Sequence, residues 1–188
     1  MLQTLENVPV ANDVNHVDMR FPVQTVIRPH SNEHHDFRGY AGRLASGLVR
    51  KGDAVTVLPS GISTTVKAVH TPAGEVSEAF APQSITIELN DDVDVSRGDM
   101  IVRQGNQPKL TQDVQAMICW LGDEPVSKGS KWIIRHTTRE SRTILQSIEY
   151  RLDMERIQRE TDVTQLQKNG VKQTKKLGKH RPLSFASL

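Results

Sequence analysis

Three of the seven histidines, His30, His34 and His35, crowd into one short stretch, "PHSNEHHDFRGYAG", together with Glu33 and Asp36. Imidazole nitrogens and carboxylate oxygens are the donors that zinc takes, so this stretch could supply a metal centre. The spacing argues against it. A structural zinc site needs four convergent ligands, usually drawn from separated elements. Here every donor lies between His30 and Asp36. His34 and His35 are adjacent, and on an extended chain adjacent side chains point to opposite faces. The stretch therefore reads as a polar loop between two strands. Gly39 and Gly42 then permit a tight bend or the close approach of another strand. Asp36 and Arg38 flank the bend, placed to pair with each other or with another domain.

Other constellations carry less chemistry still. Asp91, Asp92 and Asp94 cluster in "NDDVDVSRGD" as if for calcium, but the run lacks the twelve-residue loop with its closing Glu. It reads as an acid-rich turn. His136 in "IIRHTTRES" falls in a strand, where a hydrogen-bonded structural histidine is expected. No G-x-S-x-G elbow is present. No G-x-x-x-x-G-K-[ST] run is present to cradle phosphates, and no N-K-x-D to read guanine. Catalytic, cofactor-binding and metal-ligating residues are accordingly assigned as none. The single cysteine, Cys119, excludes an internal disulfide, and within "AMICWL" it reads as a buried thiol.

The elements around these residues follow from composition and pattern. A chain of 188 residues suffices for one ordinary domain or two small ones. With 36% hydrophobic and 4% aromatic residues, the core must be mostly aliphatic. A net charge of +2 falls short of the clustered basic excess expected of a nucleic-acid binder. No apolar run approaches the roughly 18 residues that span a membrane. No signal peptide is visible, and the cytoplasm is the expected compartment.

Strand signals recur along the chain. "FPVQTVI" (21–27) alternates, and a further strand covers about 40–46 before the turn at Gly47 and "RKGD". "AVTVL", "TTVKAVHT", "SITIEL" and "MIVR" follow, separated by Pro- and Gly-containing turns. In "TTVKAVHT", Val66 and Ala68 share one face, with Lys67 and Val69 on the other. After the polar stretch 103–113 come "DVQAMICWL", read as a buried strand, and "KWIIRHTT". "TILQSIEYRLDMERI" fits period two better than 3.6, with Ile144, Ile148, Tyr150, Leu152 and Met154 on one face. The end, "QKNGVKQTKKLGKHRPLSFASL", is basic without interleaved aromatics, a solvated face or tail. Short strands at this spacing predict small β-barrels or sandwiches.

The stretches "RFPVQTVIRP", "DFRGYAGRLASGLVRKGDAVTVLPSG" and "AFAPQSITIELNDDVDVSRGDMIV" resemble the second domain of the GTPase-type large subunit of bacterial sulfate adenylyltransferase. The resemblance joins "RGYAG…ASG…KGD" to a distant D-x-x-R-G-D, Asp94 to Asp99. "MICWLGDEPVSKGSKWIIRHTT" and "IEYRLDMERIQRE" resemble that family's third domain, and "NGV" and "RPLSF" do so less clearly. More distantly, the first half is similar to the second-domain barrel of translational GTPases such as elongation factor Tu. The resemblance implies an all-β chain of two consecutive small β-barrels of the translation-factor type, the second incomplete. It implies a lead-in over 1–19, a first barrel over 20–104 and a second over 112–188. It implies that Asp36, Arg38, Gly39, Gly42, Gly47, Arg97 and Gly98 sit in structural or interdomain loops. The chain is then expected to be part of a longer subunit. The parent enzyme makes adenosine 5′-phosphosulfate and pyrophosphate from ATP and sulfate, and its GTP and Mg belong to a domain outside this sequence.

Three functions from different classes follow. The first is an accessory docking and transmission module of that subunit, with no active site of its own. Its partners would be the GTP-binding domain and the small catalytic subunit, with no membrane and no nucleic acid. The second is the barrel part of a translation-type GTPase that binds RNA. The third is a small metalloenzyme on the histidine loop. The near-neutral charge and the "DFRGYAGRLASG" match favour the first.

Overall fold

A computed structural model describes residues 15–29, 37–153, 158–161, 165–166, 171–177 and 183–184. The described residues form no helix, and none of them offers a helix long and apolar enough to cross a membrane. The strands of the first half are β1 (Arg20–Ile27), β2 (Gly39–Arg43), β3 (Leu48–Arg50), β4 (Ala54–Leu58), β5 (Ile62–Thr71), β6 (Gly74–Val76), β7 (Glu78–Phe80), β8 (Ser84–Leu89) and β9 (Met100–Arg103). They pair in the order β4-β9-β1-β2-β8-β5-β6, and β4 also pairs with β5, which closes the ring. Every pairing is antiparallel. Closure leaves the ring without the free backbone edge that an open sheet exposes.

The alternating residues of these strands fill the ring. Phe21, Val23, Tyr40, Val55, Val57, Val69, Ile85, Ile87 and Ile101 form one aliphatic and aromatic core. Met19, one residue ahead of β1, is fully buried in it. Val69 is buried together with Val66 and Ala68, because the β5–β8 register shifts between Val66 and Ala68. That bulge breaks the simple alternation expected of "TTVKAVHT". A second cluster, Leu58, Met100 and Val102, forms beside this core. The segment after β9 runs along the neighbouring strand: Gln107 Nε2 bonds Thr56 Oγ1 at 3.2 Å, and Thr56 is fully buried.

The second half comprises β10 (Leu110–Thr111), β11 (Val114–Cys119), β12 (Val126–Ser127), β13 (Lys131–His136), β14 (Arg139–Asp153), β15 (Gln158–Glu160), β16 (Gln165–Leu166), β17 (Val171–Leu177) and β18 (Leu183–Ser184). The main sheet runs β11-β17-β14-β13, with β15 on β14 and the small pairs β10–β18 and β12–β16 beside it. Val126 and Leu145 are its buried centre, packed by Val114, Ile118, Trp120, Ile134 and Ile148.

Two expectations are corrected here. "DVQAMICWL" forms a strand, but a half-buried one. Gln115, Met117 and Cys119 face out while Val114, Ala116 and Ile118 are partly covered, so the Cys119 thiol is exposed. The 15-residue β14 is the long strand expected, yet its buried face is not the even one throughout. Thr143 and Leu145 are the buried positions in its first half. The strand pairs β13 through Ile144 and β17 from Leu145 onward, with a register shift between Ile148 and Tyr150. A bulge of one residue exchanges the parity that faces inward, so odd positions are buried ahead of it.

Candidate functional site

Polar side chains converge at three places on the first barrel. The first is the base of the β1–β2 loop. β2 lies between β1 and β8, and the close fit is possible because two of its five residues are glycines. A Cβ at Gly42 would lie 2.5 Å from the Pro22 carbonyl oxygen, and one at Gly39 would lie 2.6 Å from Thr86 Cγ2. Arg38 enters β2 and turns back over the Tyr40 ring, 5.6 Å from its centroid. Its guanidinium pairs with Asp92 and approaches Asp94 at 3.7 Å. Tyr40 donates its hydroxyl hydrogen to the Val93 carbonyl at 2.9 Å, and burial pushes the phenol pKa up, which keeps that donor protonated. The acid-rich turn is thus tied to β2 from two sides. A cleft of about 400 Å³ opens beside it, lined by Arg28, Phe37, Arg38, Lys67, Glu88 and Asp92 among others. Glu88 is buried and bridges His70 Nε2 (2.5 Å) and Lys67 Nζ (3.2 Å).

The second place is a clamp at the start of β1. Arg20 is buried, and its Nη1 donates to the carbonyls of Met19 and Asn106, each at 2.9 Å. Burial lowers its pKa from the ordinary arginine value. Asp18 accepts from Asn106 and from Asn15 Nδ2 (2.7 Å), and these side-chain bonds hold its carboxyl below the usual aspartate range. Gly47 completes the clamp. Its φ is 77°, and a Cβ there would sit 2.5 Å from Met19 Cα. Sequence reading singled out Gly47 but missed Asp18, Arg20 and Asn106, since no local pattern joins residues 86 and 88 positions apart.

The third place is the junction with the second half, built by the D-x-x-R-G-D motif. Arg97 Nη1 donates to the Gln24 carbonyl at 2.8 Å, and Gly98 N–H to Val23 at 3.1 Å. The Asp99 carboxylate accepts the Ser96 N–H at 2.9 Å and faces Arg139 Nη1 at 3.5 Å. Asp99 and Arg139 are both largely buried, and burial pushes the Asp99 pKa up against the pull of Arg139. Gly98 packs against Arg139, whose Cα would lie 3.3 Å from an added Cβ. Arg139 follows the two-residue turn Thr137–Thr138 between β13 and β14, where Thr137 holds φ at 53°. A β-branched residue in that region costs on the order of 1–3 kcal/mol, so the surrounding contacts must fix it.

His30, Glu33, His34, His35 and Asp36 lie outside the described residues. Arg38, Gly39, Gly42, Gly47, Arg97 and Gly98 divide among the three places rather than forming one site. His136 is half-buried in β13, and burial lowers its pKa, favouring the neutral ring. Among the described residues no group of three or more His, Cys, Asp or Glu could hold a metal ion. What the three places offer is fixed geometry and charge.

Comparison with known proteins gives this arrangement its context. No family model matches the chain. Over 170 residues, 90% of the chain, it is 48% identical to the bifunctional enzyme CysN/CysC of Mycobacterium tuberculosis (strain CDC 1551 / Oshkosh). Over 154 residues, 82% of the chain, it is 46% identical to sulfate adenylyltransferase subunit 1 of Bacteroides thetaiotaomicron. The chain belongs to the sulfate adenylyltransferase subunit 1 family. It spans only 28% and 31% of those two relatives. In structure it is similar to Sup35 complexed with GDP, with a TM-score of 0.79 at 16% identity, covering 99% of this chain and 45% of that one. At that identity the likeness concerns fold, and it agrees with an all-β chain of two barrels of the translation-factor type. The residues of the three places are thus part of the barrel region of a subunit 1 family member.

Proposed function

We propose that this chain is a docking and transmission module of a GTP-dependent sulfate adenylyltransferase large subunit, working without an active site of its own. The observation that carries the reading is the 48% identity maintained over 90% of the chain. At that level both barrels, and not one shared motif, follow the family. The name of the Bacteroides relative, a subunit 1, implies an assembly with another subunit. We infer that this partner is the small subunit that makes adenosine 5′-phosphosulfate from ATP and sulfate, and that GTP and Mg act in a separate domain of the large subunit.

The described residues support such a role. The first barrel is closed, and several of its charged side chains are tied within it: Arg38 pairs with Asp92, Glu88 with Lys67 and His70, and Arg20 donates to the Asn106 carbonyl. Asp99 and Arg139 link it to the second half. A stiff body with a fixed joint carries movement from one neighbour to another. The test is calorimetric titration of the chain with the purified small subunit, alongside a fluorescent GTP analogue with Mg. Saturable binding of the subunit and no binding of the nucleotide is the expected result. No interaction with the subunit, or magnesium-dependent GTP binding at micromolar concentration, overturns the proposal.

A further inference from the structure

We propose that the cleft at the junction of the two barrels docks an acidic segment of a protein partner, held by Arg97 and Arg142. The cleft measures about 760 Å³ and is lined by Ser96, Arg97 and Asp99 from the first barrel and by Thr138 to Arg142 from the second. Three guanidinium groups face two carboxylates there. The balance tips further toward positive, because Glu140 is already bonded by Arg135, whose Nε lies 2.8 Å from Oε1. Asp99 is engaged by the Ser96 N–H and by Arg139, a pair that removes one charge of each sign and leaves Arg97 and Arg142. Arg97 and Arg142 are exposed and form no ion pair with a carboxylate among the described residues. The other polar cleft, beside Arg38, differs: Lys67 and Arg38 there have Glu88 and Asp92 as counter-charges within the same lining.

The chemistry selects the class of occupant. Arginine forks match carboxylates in bidentate fashion, and a short acidic segment presents such groups singly, with room for Asp99 and Glu140 between them. A nucleic-acid strand presents an unbroken row of phosphates that these two carboxylates would repel. It also calls for stacking platforms, and no aromatic side chain lines the cleft. Because the arginines come from both barrels, an occupant would bridge them and hold the Asp99–Arg139 joint in place. The inference concerns the charge of the contacting segment, and it stands whether or not the partner is the small subunit.

The test uses the whole chain and a fluorescein-labelled decaglutamate peptide, read by anisotropy at low ionic strength (about 20 mM), where surface charge is least screened. R97E/R142E is expected to weaken binding roughly tenfold or more. R142E alone changes one exposed residue and guards against misfolding of the double variant. K109E, a charge reversal equal to that of R142E at an exposed lysine away from the cleft lining, is expected to stay within about twofold, while R142E weakens binding by more than that. Absence of peptide binding by the unmodified chain overturns the proposal, and so does equal weakening by K109E. Tighter binding of a single-stranded RNA oligomer, lost in the same arginine variants, overturns it in favour of a nucleic-acid surface.

Discussion

Gly47→Ala separates two costs that usually travel together. Gly47 has a φ of 77°, and Gly52, five residues on, has a φ of 89°. A side chain in that region costs roughly 1–2 kcal/mol at either position. Their surroundings differ. Around Gly52 nothing lies within 4 Å of an added Cβ. At Gly47 the Cβ would lie 2.5 Å from both Met19 Cα and Met19 N. Those are backbone atoms, and Met19 is fully buried, so the strap of residues 15–19 ahead of β1 cannot swing aside freely. Relief requires moving the strap away, which loosens the Gly47 N–H bond to the Asn15 carbonyl (2.5 Å) and the Ser46 Oγ bond to the Asp18 carbonyl (2.6 Å). Each is worth about 1 kcal/mol net. G47A should therefore destabilise the first barrel by about 3–4 kcal/mol, and G52A by about 1–2 kcal/mol. Native-state hydrogen exchange of the slowest amides in β4 and β8 reads the first barrel by itself, which an optical melt of two barrels would blur. Equal destabilisation by the two variants would refute the close-approach argument and leave backbone conformation as the whole effect.

Other outcomes follow from the same contacts. Asp18 has a folded pKa below its unfolded value, so its contribution is present above the ordinary aspartate range and is lost as pH falls through the lowered folded value; D18N should flatten this part of the acid-side stability curve, and an unchanged curve would deny the link. His136 also has a depressed folded pKa, so the unfolded chain binds more protons and stability should fall as pH drops below about 6.5; H136Q should remove that slope in urea titrations at successive pH values. Cys119 is exposed, so a thiol reagent should modify the native chain without denaturant, whereas labelling only after unfolding would contradict the outward register of β11.

The legible parts of the fold are those where period and burial coincide. "SITIEL" places Ile85, Ile87 and Leu89 in phase, and all three are buried in β8. "AVTVL" and "MIVR" likewise became adjacent strands of the closed ring. The three-residue strands β3 and β7 gave no signal, because a segment that short has no period to read. Cys119 was misjudged because a continuous apolar run does not reveal which face is covered; its pairing with β17 decides that. The same limit hid the buried face of β14, where Leu145 and not Ile144 is central. At the candidate sites, sequence drew attention to Arg38 and to the D-x-x-R-G-D motif but not to their partners. Arg38 finds Asp92 across 54 positions, and Asp99 finds Arg139 in the other barrel. Such pairs are made by topology, which spacing alone does not encode.

The turn from Asn90 to Asp99 is where these observations meet. Near its start Arg38 grips Asp92, and the Val93 carbonyl receives the Tyr40 hydroxyl. Val93 and Val95 are buried in the barrel core, so the turn does not float over the surface. Arg97 and Gly98 are bonded to Gln24 and Val23 of β1. At its end Asp99 reaches Arg139. Side-chain or backbone bonds thus recur at short intervals from the Arg38 cleft to the Asp99–Arg139 pair, so the two places are physically continuous. This continuity is what the proposed docking role requires, since a contact made at one of the two places adjoins, through bonded residues, the joint at the other.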